Sequence, residues 1–479
     1  MKKYIFSLIA ASFLLTSCDR EESLLQTEPQ GNVSADQIQN LLKAFPEKAT
    51  TVLGGAEAGN NNYLIQFNTN GASAHDDFGY MSVRTGLDHM TNDLVMTQSH
   101  WFNSYYNYLA RGVSNSRTQM VWKYEYKVIY NMNEVLKQLL GAQEGDSKHI
   151  KGRALAMRAN AYMDLLLTYS VGDQGVPYYS KGDRVVENPG RLPVSQVWNY
   201  IIEDLTIAYD LLQDYTRADK QSIDKNVVAG FLARAFMASG NYSQAATFAN
   251  LARQGYAPMN STQLKDGFQF ISNPEWMWGA DINSSTATLY ASFFSHMSNL
   301  NQGYAGLLGV YRTIDSRLYN QIPATDERKS WFLSASQNGL PKYANVKFYD
   351  NTFFEGDYVF MRAAEFYLIE AEALARSNNE SGAKAVLEQF VKTRDASYSA
   401  ASYSGAALLK EIRKQRRIEL WGEGGEWWEM KRNQEDLVRD YTGSNHATFG
   451  KLNISHTDNR FIFQIPQVEL DVNKEVNNP

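Results

Sequence analysis

Apolar residues recur at spacings of three and four along most of this chain, which predicts a mainly α fold. From Ile150 the stripe runs through Ala154, Met157, Ala161 and Leu165. Between Val197 and Leu212 it runs through Trp198, Ile201, Ile202, Leu205 and Ala208. A helix-turn-helix unit occurs twice. In one copy Val228, Leu232, Ala235 and Ser239 lead into Gly240-Asn241-Tyr242, and Ala245, Ala249 and Ala252 follow. In the other, Ala364, Leu368, Ala371 and Leu374 lead into Ser377-Asn378-Asn379, and Ala383, Leu387 and Phe390 follow. Ala233 and Ala245 are separated by the same distance in sequence as Ala371 and Ala383. Small residues at these places let two antiparallel helices pack closely.

The unit resembles tetratricopeptide repeats, whose period is about 34 residues with small residues at the helix crossing. The copies are not in tandem, which predicts a bundle with insertions and not a regular solenoid. Helical repeats are expected over 116–258 and 361–432. Between them, over 259–360, Asn, Ser and Gly punctuation breaks the helical period and predicts short strands and long loops. Glu275-Trp276-Met277-Trp278 reads as a strand with both indoles on one face, a core position. Trp427 and Trp428 are expected to pack the last helix onto the fold.

The N-terminus changes the picture. Lys2 and Lys3 precede a short apolar run, Ile5 to Leu15, which suits a cleaved export signal and is too short for a membrane span. Leu15-Thr16-Ser17-Cys18 resembles a bacterial lipobox. On this reading residues 1–17 are a lipoprotein signal peptide, and the mature chain is tethered by lipid on Cys18, with no membrane-spanning helix. Residues 18–40, opening with Asp19-Arg20-Glu21-Glu22, read as a flexible tether, and 41–479 as a single domain. Cys18 is the only cysteine, so the fold relies on its core without a disulfide. A net charge of −6 gives no support to nucleic-acid binding. Many of the 29 Tyr, 23 Phe and 9 Trp must be core, but an exported protein this rich in Tyr and Trp often uses some as flat binding platforms.

Ordered motifs in the C-terminal third carry a family resemblance. Arg362-Ala363-Ala364-Glu365-Phe366-Tyr367-Leu368 is followed by Arg413, Arg416-Arg417-Ile418-Glu419-Leu420 and Gly424-Gly425-Glu426-Trp427-Trp428. Ile465-Pro466-Gln467-Val468-Glu469 closes the set. With Trp122, Tyr126, Ile129 and Asn133 in one earlier segment, and Arg153, Arg158 and Tyr162 in the next, it resembles the SusD/RagB family of outer-membrane lipoproteins. From the residues alone, Arg416 and Glu419, like Arg362 and Glu365, are three apart and expected to pair on their helices.

The resemblance implies a protein on the outer face of the outer membrane that captures oligosaccharide, or in some branches peptide, for a TonB-dependent, SusC-like transporter. It implies no catalysis and no cofactor. The ligand face is expected on two loops. Gln98 to Arg117 offers Trp101, Asn103 and Tyr105, and Asn283 to Gly309 offers Tyr290, Phe294, Asn301 and Tyr304. Sugars present flat C–H faces that stack on rings, with hydroxyls taken by polar side chains.

Two other classes are weaker. A glycoside hydrolase needs two carboxylates about 5–10 Å apart in a cleft. Asp76-Asp77 are adjacent and, like Asp93, read as turn or cap residues. His75, His89 and His100 lack the spacing of a metal site, and no His-Glu-x-x-His, P-loop or nucleophile elbow is present. A helical scaffold binding only protein would have tandem repeats and an aromatic-poor groove.

Overall fold

The computed structural model describes residues 35–66, 68–71, 74–180, 189–300 and 304–478. Cys18, the leader and Asn301 lie outside them. The chain opens with α1 (Ala35–Ala44), α2 (Ala49–Leu64), α3 (Tyr80–Asp88), β1 (Leu94–Met96) and the one-turn α4 (Asn103–Tyr106). Helix α1 thus begins within the stretch read as tether. Longer helices follow: α5 (Ser116–Gln138), α6 (Gly145–Tyr169), α7 (Val194–Leu211), α8 (Lys225–Ser239) and α9 (Tyr242–Ala252). The middle region holds β2 (Trp276–Ala280), α10 (Phe293–Met297), α11 (Tyr304–Leu307), β3 (Arg312–Ile314), α12 (Ser316–Asn320) and β4 (Tyr358–Arg362). Last come α13 (Ala363–Arg376), α14 (Glu380–Val391), α15 (Gly405–Glu419), α16 (Glu426–Arg432), β5 (Leu437–Val438), β6 (Asn453–Ile454) and α17 (Gln467–Val472). No described helix is long and apolar enough to cross a membrane.

Both repeat copies form helix pairs with matching turns. The Asp224 side chain caps α8 by accepting from Val227 N–H, and Gly240 ends it at φ 85°. Asn241 then caps α9 through Gln244 N–H. In the second copy Asn378 takes the left-handed position at φ 62° and Asn379 caps α14 through Gly382 N–H. These residues satisfy the orphan amide groups at each helix start. Ala233, Ala245, Ala371 and Ala383 are fully buried where the pairs close.

The copies are distant in sequence yet adjacent in space. Helix α9 packs directly on α13, so α5 through α9 and then α13 and α14 form one uninterrupted series. Arg253 clips the junction to Glu370 at 2.6 Å. The interruption expected from the sequence therefore leaves the series and returns to it. Its base is closed by the antiparallel pairing of β2 and β4, which brings Trp276 opposite Arg362. Trp276 and Trp278 are both core residues as expected, but register shifts beside Trp278 break the regular strand alternation.

A buried charge network fastens this base to α15. Arg362 binds Glu275 (2.5 Å), Glu419 (2.6 Å) and Glu423 (2.6 Å). Arg394 reaches Glu275 (2.8 Å) and Glu419 (2.9 Å), and Arg328 reaches Glu419 at 3.1 Å. The within-helix pairing expected for these motifs is replaced by pairing between elements. Arg362 is the N-cap of α13 with extended backbone, so it does not share a helical face with Glu365. Glu365 instead joins Arg234 (2.5 Å) to Arg416 (3.2 Å). Converging helices offer each buried charge a fixed partner, and an unpaired buried charge would be costly. Trp427 and Trp428 pack α16 into the core, and α17 follows it.

Candidate functional site: an aromatic face on three loops

Three loops meet above the β1–β3 pair. The first, residues 74–79, enters α3. Arg117 holds the Asp76 carboxylate through two hydrogen bonds of 2.5 and 2.8 Å. Asp77 accepts from Thr69 Oγ1 (2.6 Å) and Asn70 N–H (2.8 Å). Asp77 therefore holds a turn, as its sequence context implies, whereas Asp76 pairs with Arg117 of α5 instead of serving as a turn or cap residue. Gly79 adopts φ 82°, and a Cβ there would lie 2.2 Å from the Leu64 carbonyl oxygen. Only glycine allows this close approach. The second loop runs from β1 to α4 and is tied to the third by Thr97, whose Oγ1 donates to Gly309 O (3.1 Å) and accepts from Tyr311 N–H (2.8 Å). Below it, Asp93 accepts from Arg417 Nε at 2.8 Å and joins the loop base to α15. The third loop, residues 283–309, is tied to the first where His296 Nε2 meets the His75 carbonyl at 2.8 Å.

The loops bring five rings together. His75 lies 5.2 Å from Trp101, 5.1 Å from Tyr304 and 6.4 Å from Tyr290. His100 is 5.7 Å from Trp101 and 5.8 Å from Tyr304, and Tyr290 is 5.3 Å from Tyr304. Trp101 and Tyr304 are half-buried, while Tyr290 is 46 % exposed. Leu289, Leu307 and Leu308 are also exposed. Buried polar atoms without a partner among the described residues include three in these loops: His100 Nδ1, Trp101 Nε1 and Asn103 Oδ1. The backbone is strained here too, with Phe102 at φ 71° and Leu289 at φ 50°. Such conformations cost on the order of 1–3 kcal/mol and cluster at functional sites. A partly exposed aromatic face suits a ligand with flat C–H surfaces.

The family model described as the SusD family matches residues 180–479. This chain belongs to the SusD family. A second model, described as starch-binding associating with outer membrane, matches residues 48–237. No curated protein matches the chain. Among solved structures, a SusD-like carbohydrate binding protein from Bacteroides vulgatus is 27 % identical with a TM-score of 0.77, covering 88 % of this chain and 97 % of its own. A SusD superfamily protein from Bacteroides thetaiotaomicron shares the fold at 20 % identity and TM-score 0.71, covering 89 % of this chain and 99 % of its own. Surface glycan-binding protein A from the same organism does so at 17 % identity and TM-score 0.68, covering 88 % of this chain and 97 % of its own.

Within this SusD-family chain, the structure separates the residues singled out from sequence. Trp101, Tyr290 and Tyr304 join in one face, with Asn103 half-buried beside it. Tyr105 and Phe294 do not belong to the surface. Tyr105 is fully buried against Gly86, where an added Cβ would lie 2.6 Å from its ring. Phe294 is 1 % exposed and fills the space beside Gly356. Both sit on short helices whose inner faces carry them into the core. His75 and His100 are additional members of the face, whereas His89 is buried in stacked contact with Phe102. A signal for the site exists in the sequence. No Asp, Glu, Lys or Arg occurs from Leu94 to Ala110 or from Ile282 to Tyr311.

The electrostatics are those of a neutral face. Burial, then Arg312, lowers the pKa of His100. The same two causes bring His296 down to about 3. Arg312 is fully buried beneath them, and its burial pulls its own pKa down to about 9. His100 and His296 therefore act as neutral rings near pH 7. Among the described residues no group of three His, Cys, Asp or Glu is placed to hold a metal. A separate crevice lies inside the scaffold, lined by Arg84, Asp164, Arg234, Glu365, Arg416 and Arg432 among others. Its charges are paired with one another, as in Arg84–Asp164 (2.8 Å), and leave little for a ligand.

Proposed function

We propose that this chain captures carbohydrate at the outer face of the outer membrane and passes it, unaltered, to a TonB-dependent, SusC-like transporter. The observation that carries this reading is the single face that Trp101, Tyr290, Tyr304, His75 and His100 assemble from three sequence-distant loops. Rings of this kind stack on sugar C–H faces with little side-chain entropy lost, and polar side chains of the same loops, the half-buried Asn103 among them, serve hydroxyls. The names of the family model and of the Bacteroides vulgatus relative support a carbohydrate ligand. Binding without turnover is supported by Asp76 and Asp77, the carboxylates that follow His75 in the chain, whose oxygens are taken by Arg117, Thr69 and Asn70. The lipobox at Cys18 supplies the anchor in this reading.

The test is affinity electrophoresis of the mature protein, made without Cys18, against a panel of polysaccharides, followed by calorimetry. Retention by one glycan class with no product formed is the expected result. Product release, or silence across the panel from folded protein that instead binds peptide, would overturn it.

A further inference from the structure

The aromatic face does not stop at Tyr290. Phe354 packs edge-on against that ring at 5.9 Å, and Phe353 lies against Phe354 at 5.3 Å. Phe353 is 74 % exposed, the most of any large apolar side chain among the described residues. Phe353 and Phe354 adopt φ of 64° and 71°. Two consecutive bulky residues in the left-handed region persist only where their surroundings impose it.

The surroundings here do so from both ends. The Asp350 carboxylate accepts from Thr352 N–H (2.7 Å), Thr352 Oγ1 (2.5 Å) and Phe354 N–H. Asn351 N–H donates to Gln269 Oε1 at 3.2 Å. Beyond the turn, Asp357 accepts from Ile271 N–H (2.7 Å) and Ile282 N–H (2.9 Å). A Cβ on Gly356 would lie 2.7 Å from the Phe294 ring, so the turn sits tightly on the core. The result is a ring displayed to water on a tethered, strained turn, joined to the aromatic face through the buried Phe354 ring. Ordering it against a ligand costs little further entropy.

We propose that Phe353 is a separate stacking subsite, taking a sugar unit beyond those on the Trp101–Tyr290–Tyr304 face, in an uncharged glycan of several units. This rests on the carbohydrate reading of that face. The uncharged class follows from two of the loops, which hold no acidic or basic residue over 94–110 and 282–311, and from the first, whose Asp76 and Asp77 are taken by Arg117, Thr69 and Asn70. Charges on a uronate or sulfated chain would find no partner there, and Glu355, next to Phe354, would repel them.

The experiment begins with affinity electrophoresis on starch, xylan and galactomannan, with polygalacturonate and dextran sulfate as the charged arm. Oligosaccharides of increasing length from the retained glycan are then titrated into wild type, Phe353→Ala and Tyr290→Ala. Phe353→Ala is expected to leave the shortest binding oligomers unaffected and to weaken longer ones about tenfold, equivalent to about 1.4 kcal/mol. Its thermal midpoint should match wild type, because the ring is exposed. Unchanged affinity at every length, or an equal loss at every length, would overturn the subsite. Retention by a charged glycan alone would overturn the ligand class. If Tyr290→Ala weakens binding and Phe353→Ala does not, the subsite falls and the carbohydrate face stands. If neither does, or no glycan is retained, both fall.

Discussion

Tyr290 on the third loop and Tyr105 on α4 carry the same side chain, and burial gives them opposite roles. Tyr290 is 46 % exposed, so Tyr290→Ala should change the unfolding midpoint little while weakening glycan affinity about tenfold by calorimetry. Tyr105 is fully buried, and Tyr105→Ala should cost about 3–5 kcal/mol in denaturant unfolding. Trp101 lies between these cases. Its indole packs on His75 and His100 and is half-buried, so Trp101→Ala should lower both affinity and stability. A full loss of stability with affinity retained in the folded fraction would make Trp101 a core residue only.

At the scale of elements, the scaffold depends on charges shared between helices. Glu365 of α13 joins Arg234 of α8 to Arg416 of α15. Burial alone would raise its pKa, but the two arginines override this and hold it at about 2. Because the folded value lies below the ordinary 4.5, this carboxylate stabilises the fold above pH 4.5, and the contribution is lost as pH falls toward 2. Glu365→Gln should therefore be less stable than wild type by about 3 kcal/mol at pH 7. The difference should shrink below pH 4.5 and vanish near pH 2, followed by urea unfolding across that range. A gap that stays constant with pH would show that packing, not charge, carries the effect.

At the scale of the whole molecule, the proposed anchoring and ligand capture are expected to be separable. Cys18→Ala should move the protein from the membrane to the soluble fraction while leaving glycan affinity as it was. Persistent lipid-dependent membrane fractionation would refute the lipobox reading. Bound glycan should also stabilise the intact fold by about 2.7 kcal/mol at a hundredfold excess over Kd. This would appear as a rise in the thermal midpoint that Tyr290→Ala reduces.

Local physics made much of this legible before any tertiary structure. Helical periodicity located α6 and α7, and the paired alanines with Gly240-Asn241 and Asn378-Asn379 marked both helix pairs, because caps and stripes depend on neighbouring residues. The C-terminal motifs led to the SusD family. What the sequence left open depends on contacts between distant segments. Stacking of α9 on α13 and pairing of β2 with β4 both join distant segments, and Glu419 chooses Arg328, Arg362 and Arg394 over its helical neighbour. For the same reason the aromatic loops could be found but not sorted. Which ring faces the ligand and which fills the core is decided by what packs behind it, and for Tyr105, Phe294, Tyr290 and Phe353 only the folded chain supplies that neighbour.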